Sequence, residues 1–328
     1  MASVLTCRPV RKRGPRYACC FPAVARATGS LNQGRTSQCE DFLMRSRPRE
    51  RADDPRSIRI AAFQDGASDG MAAMSDGLVT TQASDGILVI AINRPGQRNA
   101  IDLATTEALA AAFDELDARA DLSVGILTGN GGFFCAGMDL KAFLRGERPV
   151  ISGRGFGGLT EAAPDKPLIA AVEGAALGGG CELALSCDMI VAARDARFAL
   201  PEVKRGLVAA AGGVLRLPRR LPYHIAMELV LTGATFEAEQ ARSWGLVNRL
   251  AESGEALAVA RQLATEVAAN GPLALRVTKR LVMQSDEWTL TESFERQREF
   301  TAQVMQSDDA REGARAFAEK RAPVWTGR

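Results

Sequence analysis

The chain has 328 residues, of which 46% are hydrophobic and 24% are charged, and its formal net charge is +2. This composition is typical of globular proteins. No stretch reaches the roughly 18 consecutive apolar residues that a membrane-spanning helix needs, which excludes an integral helical membrane protein. His224 is the single histidine, so a multi-histidine metal site is excluded. The seven cysteines form no pair of C-x-x-C motifs, which argues against a zinc ribbon, and no metal site is predicted.

Basic residues are concentrated at the amino-terminal end of the chain. Residues 1–73 contain 13 Lys or Arg and 7 Asp or Glu, which leaves residues 74–328 with an acidic balance. Residues 1–39 hold seven basic residues and no acidic one, without apolar periodicity. Such a segment cannot bury enough apolar surface to offset the entropy of ordering it. We therefore expect residues 1–75 to be a disordered basic leader.

Three origins of this leader are open at the level of sequence. The natural start could be Met71 or Met74, with the preceding residues being upstream sequence. An Arg-rich, acid-poor leader is also typical of an organellar transit peptide, and a basic arm could bind nucleic acid. Because no apolar stretch of a secretory signal follows the basic residues, we expect a cytoplasmic protein with free thiols. A transit peptide would instead indicate the mitochondrial matrix.

Strand and helix patterns alternate from residue 76 onwards. The predicted strands are 86–93, 124–128, 167–172 and 189–192, and the predicted helices are 103–119, 254–269, 272–284, 287–306 and 308–320. Strands separated by helices imply parallel pairing. The sequence thus predicts an α/β core over residues 76–253 and a helical region over residues 254–328. The Gly-rich run 153–158 lacks the flanking strand and helix of a dinucleotide-binding loop, so we expect a mobile surface loop there.

One window combines glycines with a carboxylate. An apolar strand leads into Gly178, Gly179 and Gly180, and a helix-favouring segment containing Glu182 follows. Glycines allow close approach of a ligand, and a helix start directs free N–H groups at it. This pattern suits an oxygen that becomes anionic during a reaction. On local evidence Glu182 could equally be a carboxylate that only complements the helix dipole.

Other residues have less specific patterns. Residues 131–140 form a second glycine-bearing turn after a strand, and Pro201 places Glu202 next to another turn. Asp139 is expected to cap a helix, and His224 to occupy a helix start. Cys135 has no histidine positioned as a base, so a thiol nucleophile is not expected.

Residues 76–328 resemble the crotonase (enoyl-CoA hydratase/isomerase) superfamily. The matching stretches are Asn93–Ala100 (NRPGQRNA), Phe134–Leu140 (FCAGMDL), Ala170–Leu183 (AAVEGAALGGGCEL), Pro201–Leu207 (PEVKRGL), Ala211–Gly213 (AGG) and Glu312–Arg321 (EGARAFAEKR). A finer resemblance to the carnitinyl-CoA dehydratase branch rests on Gly155–Glu161, Phe198–Lys204 and Gly213–Pro218. The superfamily implies a ββα superhelix with a C-terminal helical trimerisation region.

The resemblance also implies roles for particular residues. The backbone N–H groups of Ala136 and Gly179 would form an oxyanion hole, and Glu182 and Glu202 would be the catalytic carboxylates. The coenzyme A moiety of the substrate would contact four further residues, which are Arg98, Ala100, Phe317 and Lys320. No separate cofactor is implied, and self-association as a homotrimer or hexamer is expected.

Because both carboxylates are present, hydration of a 2-enoyl-CoA is the leading prediction. An enoyl-CoA isomerase and a carnitinyl-CoA-type dehydratase are alternatives within the family. A trimethylammonium substrate would favour aromatic or acidic neighbours, and the chain has only two tyrosines and three tryptophans. A non-catalytic acyl-CoA-binding or RNA-associated protein is the alternative of a different class, and the acidic balance of residues 74–328 argues against RNA.

Overall fold

A computed structural model describes residues 77–328, so the predictions for the leader lie outside the described residues. The strands are β1 (Val79–Ser84), β2 (Ile87–Ile92), β3 (Val124–Gly129), β4 (Val150–Ile151), β5 (Gly155–Phe156), β6 (Leu168–Val172), β7 (Ala175–Leu177), β8 (Met189–Ala193), β9 (Arg197–Ala199), β10 (Thr235–Glu237) and β11 (Arg249–Ala251). The helices are α1 (Leu103–Ala118), α2 (Leu140–Leu144), α3 (Gly179–Ser186), α4 (Gly213–Arg220), α5 (Tyr223–Thr232), α6 (Ala238–Ser243), α7 (Ala256–Ala268), α8 (Pro272–Ser285), α9 (Leu290–Met305) and α10 (Asp308–Glu319). None of these helices is long and apolar enough to cross a membrane.

The largest sheet has six strands in the order β1-β2-β3-β6-β8-β11. The β1–β2 pair is antiparallel, and every other pair is parallel, as the alternation of strands and helices predicts. Strand β2 is buried along its whole length, which explains why it reads as a continuous apolar run. A three-stranded sheet, β10-β9-β7, is the second layer and leads into α3.

The two faces of the large sheet are covered by different elements. Ile87, Val89 and their equivalents on the neighbouring strands pack against Ala260 and Leu263 of α7. Leu88 and Ile90 point to the opposite face, where α1, α3 and the second sheet complete the main core. Helix α7, the first helix of the C-terminal region predicted from residue 254, therefore packs directly on the sheet of the α/β core.

The Gly-rich run 153–158 is not a mobile surface loop, because its second half is buried. Residues 155–160 are all buried, and β4 and β5 form a short hairpin there. Gly157 and Gly158 have positive φ angles of 60° and 65°. A Cβ at Gly157 would lie 2.8 Å from the Leu183 side chain, and a Cβ at Gly158 would lie 2.8 Å from the Ala110 side chain. These glycines are required by close packing and by the left-handed backbone, neither of which the local sequence shows.

Helix α9 lacks a buried residue within the described chain, although it is 16 residues long. Its apolar side chains Leu290, Phe294 and Met305 are 78%, 58% and 76% exposed. A helix of this length gains most of its stability from packing an apolar face. The exposed apolar side chains of α9 are consistent with the predicted self-association.

We expect Phe294→Asp to shift the protein towards monomer, because a carboxylate at this position cannot be buried against another chain without a partner. Light scattering coupled to size exclusion would measure the mass. Glu295→Ala, at an adjacent exposed position, is the matched control and should leave the assembly unchanged. An unchanged mass for Phe294→Asp would show that α9 is not at an interface.

Candidate active site

The start of α3 provides an unoccupied backbone donor. Gly178 precedes the helix with φ 54° and ψ −124°, a conformation that only glycine adopts readily, and it turns the chain from β7 into α3. The N–H of Gly179 has no acceptor among residues 77–328, as expected for the first turn of a helix. Gly179 is buried, so the structure places this predicted donor at a helix start and away from bulk solvent.

The second predicted donor, Ala136, is wrong. Its N–H donates to the carbonyl oxygen of Arg98 at 3.0 Å and is not available to a ligand. The N–H of Gly137 faces the Cys135 sulfur at 3.3 Å, and the N–H of Asp139 donates to the Ile101 carbonyl at 2.8 Å. Met138 is the residue of this turn whose N–H has no acceptor within the described chain.

A long-range bridge explains which amide of this turn is free. Ile101 pairs with Met138 in a parallel bridge through the Gly137 carbonyl and the Asp139 N–H. Neighbouring peptide groups of an extended segment point in opposite directions, so the Met138 N–H points away from the bridge. The motif FCAGMDL alone does not reveal this pairing. Recognition of Ile101 as a bridge partner would have been needed to choose Met138.

The two turns lie against each other. A Cβ at Gly137 would lie 2.7 Å from the Leu177 carbonyl oxygen and 3.0 Å from the Gly179 nitrogen, and a Cβ at Gly180 would overlap the Cys135 carbonyl oxygen. The glycine at each position is thus required for the contact. The arrangement brings the Met138 turn next to the Gly179 amide, where two donors can serve one oxygen.

Glu182 lies in the first turn of α3 and is 3% exposed. Its Oε1 accepts a hydrogen bond of 2.9 Å from the N–H of Gly213, the first residue of α4. A Cβ at Gly213 would lie 3.0 Å from the same oxygen, so glycine is needed there. Burial raises the pKa of Glu182 to about 7, with the Glu202 charge adding to the rise and the Gly213 hydrogen bond opposing it.

Glu202 lies in a short 3₁₀ helix, Pro201–Arg205, and is half-buried. Its Oε1 lies 3.0 Å from the position that a Cβ at Gly178 would occupy, so this carboxylate lies beside the start of α3. Its Oε2 is buried and has no hydrogen-bond partner among residues 77–328. Burial raises the pKa of Glu202 as well. The structure therefore brings the two predicted carboxylates to the same glycine-rich turn at the start of α3.

The loop predicted to bind coenzyme A is organised by Arg94. The Arg94 guanidinium donates to the Ala100 carbonyl and forms ion pairs with Asp102 at 2.9 Å and Asp139 at 3.1 Å. Asp139 also caps α2, as predicted, by accepting from the N–H groups of its first turn. Arg98 is exposed at the rim, with its carbonyl bound to the Met138 turn. The sequence analysis did not predict a role for Arg94, although Arg94 lies within the matched stretch Asn93–Ala100.

The other residues singled out in the sequence lie away from the two glutamates or have no role in the proposed chemistry. Phe317 is 88% exposed on α10, and Lys320 follows as the exposed C-cap of that helix. Within the described chain, neither shares a hydrogen bond or ion pair with the two glutamates or the Arg98 loop. His224 lies at the start of α5, as predicted. Cys135 is fully buried, and burial raises the pKa of its thiol to about 12, which disfavours the thiolate form that a nucleophile requires.

No group of three or more metal-ligating side chains lies among residues 77–328. The groups that the structure brings together at the start of α3 are backbone amides and two carboxylates with raised pKa values. Such a site can stabilise a developing oxyanion and transfer protons on either side of it.

We expect Glu182→Gln to raise the free energy of unfolding at neutral pH. The pKa of Glu182 is about 7 in the folded chain against an ordinary value near 4.5, so the folded state resists ionisation. The wild type loses stability as the pH rises from about 4.5 to 7, by an amount on the order of 3 kcal/mol. Gln cannot ionise, but its oxygen can still accept from Gly213.

Thermal unfolding of both proteins between pH 4.5 and 8 measures this difference. The gap in melting temperature should be small at pH 4.5 and largest above pH 7. Glu228→Gln, at an exposed position on α5, is the control and should show no pH-dependent gap. A gap that is constant with pH would contradict the buried, protonated carboxyl.

Comparison with known proteins identifies the family. The sequence model of the enoyl-CoA hydratase/isomerase family matches residues 82–328. The chain is 46% identical over 263 residues to proteins named carnitinyl-CoA dehydratase from Salmonella typhi and Salmonella enteritidis, covering 78% of this chain and all of each relative.

Solved structures agree with this match. The structure of an enoyl-CoA hydratase from Mycobacterium tuberculosis is 58% identical, with a TM-score of 0.75 over 76% of this chain and 99% of that one. A carnitinyl-CoA hydratase from Mycobacterium avium is 40% identical, with a TM-score of 0.61 over 76% and 99%. The predicted fold is confirmed, and the chain belongs to the enoyl-CoA hydratase/isomerase family of the crotonase superfamily.

Proposed function

We propose that the chain catalyses the reversible addition of water to the double bond of a 2-enoyl-CoA thioester. The observation that carries this proposal is the pair Glu182 and Glu202, both with raised pKa values, beside the unoccupied amide of Gly179. Hydration requires one group to take a proton from water and another to supply a proton to carbon. Two carboxylates that share one proton can do both.

Binding of the substrate depends on the backbone. The N–H groups of Gly179 and Met138 donate to the thioester oxygen, which gains negative charge when the double bond is attacked. The Arg98–Ala100 loop, fixed by Arg94, contacts the nucleotide end of coenzyme A. Phe317 and Lys320, exposed on α10, complete that contact from a second copy of the chain in a homotrimer or hexamer.

The chemistry then proceeds in two proton transfers. Glu182 takes a proton from water as the oxygen bonds to Cβ, and the electrons of the double bond move onto the thioester oxygen. When this enolate collapses, Cα takes a proton from Glu202, giving the 3-hydroxyacyl thioester. The proposed addition is of the syn type, with hydrogen and hydroxyl added to the same face of the double bond. The thioester carbonyl accepts the electrons, so the proposed reaction uses no separate cofactor.

Dehydration of a carnitinyl-CoA type substrate is the second candidate, and the 46% identity to proteins of that name favours it. The chemistry of the two carboxylates is the same, so the distinction lies in recognition of the acyl group. A trimethylammonium group would interact with aromatic rings such as Phe156, which lies against Gly179. An isomerase would use Glu202 alone, and a non-catalytic protein would bind acyl-CoA without turnover.

We expect Glu182→Gln and Glu202→Gln each to lower kcat for hydration by about 10²- to 10⁴-fold, because each removes a proton-transfer group. The loss of enoyl-thioester absorbance, with short to long 2-enoyl-CoAs and crotonobetainyl-CoA, measures turnover and identifies the preferred acyl group. Glu161→Gln, an exposed carboxylate in the same part of the chain, is the control.

The pattern of losses separates the candidates. If the wild type hydrates none of these thioesters, and if isomerisation persists in Glu182→Gln, the protein is an isomerase and not a hydratase. A folded wild-type protein that binds coenzyme A esters but turns over none of the panel would overturn the proposed enzyme function.

We expect Gly137→Ala to lower kcat/KM by 10²-fold or more. A methyl group there would lie 2.7 Å from the Leu177 carbonyl and would separate the Met138 turn from Gly179. Loss of one oxyanion donor typically costs about 3 kcal/mol of transition-state stabilisation. Gly132→Ala is the matched control, because Gly132 also has positive φ but has no atom within 4 Å of a Cβ. Equal losses in both variants would attribute the effect to backbone strain.

A further inference from the structure

Arg216 is a half-buried arginine near Glu182. It lies on α4, three residues after Gly213, whose N–H binds Glu182. The Arg216 Nη2 donates to the Thr160 carbonyl at 2.5 Å, and its Nη1 donates to the Ala211 carbonyl at 3.4 Å. The guanidinium therefore joins α4 to two separate segments.

One of these segments packs against Gly179. The Thr160 hydroxyl accepts a hydrogen bond of 2.9 Å from the N–H of Phe156. The Phe156 ring lies so close to Gly179 that a Cβ at Gly179 would be 2.5 Å from the ring. Phe156 is 6% exposed and Thr160 is 3% exposed, so this packing is enclosed. Arg216 thus anchors the segment that holds a ring against the predicted oxyanion donor.

The guanidinium also lies in the electrostatic field of the site. The charged and titratable groups that act on Arg216 are Glu182, Arg219 and the Cys187 thiol, and Arg220 is coupled to it from the end of α4. The charged side chains that act on Glu182 are Glu202 and Arg216. Within residues 77–328 no direct ion pair joins Arg216 and Glu182, so their attraction acts through space. Arg216 is the cation that opposes the combined effect of burial and Glu202 on Glu182.

We propose that Arg216 is a positioning residue with two effects: its charge favours the carboxylate form of Glu182, and its hydrogen bond to Thr160 holds Phe156 over Gly179. The effect of Arg216 on catalysis rests on the proposed function, whereas its effect on the ionisation of Glu182 does not. Its two effects are separable, because lysine keeps the charge but cannot reproduce the planar fork of arginine.

The first measurement does not depend on turnover. Infrared difference titration follows the carbonyl band of the protonated Glu182 carboxyl, which Glu182→Gln and Glu202→Gln assign. Arg216→Gln should raise the pKa of Glu182, since removal of an opposite charge disfavours the ionised form. Arg216→Lys should leave the titration close to that of the wild type. Arg219→Gln, which removes an exposed charge from the same helix, is the matched control.

The second measurement is the pH dependence of hydration. Arg216→Gln should shift the alkaline limb of kcat/KM upwards, because the carboxylate pair would then keep its shared proton to higher pH. Arg216→Lys should lower kcat by on the order of 10- to 100-fold without that shift, since displacement of Phe156 misplaces the Gly179 donor. If Arg216→Gln does not fold, the result with lysine still tests the positioning effect.

The outcomes distinguish this inference from the proposed function. A wild-type protein without turnover would remove the proposed function, whereas the infrared titration would still decide whether Arg216 controls Glu182. Equal titration of Glu182 in wild type and folded Arg216→Gln would overturn the electrostatic effect. Wild-type kcat in Arg216→Lys would overturn the positioning effect.

Discussion

The contact between two backbone turns is the constraint on which the site depends. The Cys135 carbonyl accepts the N–H of Leu177 at 2.9 Å, and Gly137 and Gly180 leave no room for a side chain between the turns. Strand β3 leads into the first turn and β7 into the second, so the large and the small sheet meet here. Because the amides are fixed by this contact, the proposed reaction needs little reorganisation of the donors when the thioester oxygen gains charge.

Burial of two carboxylates is the second constraint, and it acts against stability. The environment that gives Glu182 a pKa of about 7 also removes it from water, and the unpartnered Oε2 of Glu202 adds a further desolvated group. The large sheet is packed on both faces, and the stability of this core offsets the cost of burying the two carboxylates. Raised pKa values of this kind are typical of groups that transfer protons near neutral pH.

Local patterns predicted most of the fold but not the exact donor set. The helices predicted at 287–306 and 308–320 agree with Leu290–Met305 and Asp308–Glu319, because their apolar periodicity and caps are encoded nearby. Glu182 was correctly placed in the first turn of α3 for the same reason. The free amide of Met138 depends on bridges to residues almost forty positions earlier, and the burial of residues 155–160 depends on α1 and α3. Neither is visible in a short window of sequence.

The most direct test of this account is a crystal structure of the full chain with a bound saturated acyl-CoA, a thioester without a double bond or a 3-hydroxyl group that is not turned over. The account predicts that the thioester oxygen lies about 3 Å from the nitrogen atoms of both Gly179 and Met138, with Cα facing Glu202 and Cβ facing Glu182. The Ala136 N–H should stay bonded to the Arg98 carbonyl. An oxygen bound to the Ala136 amide, or a thioester remote from Gly179, would contradict the central claim.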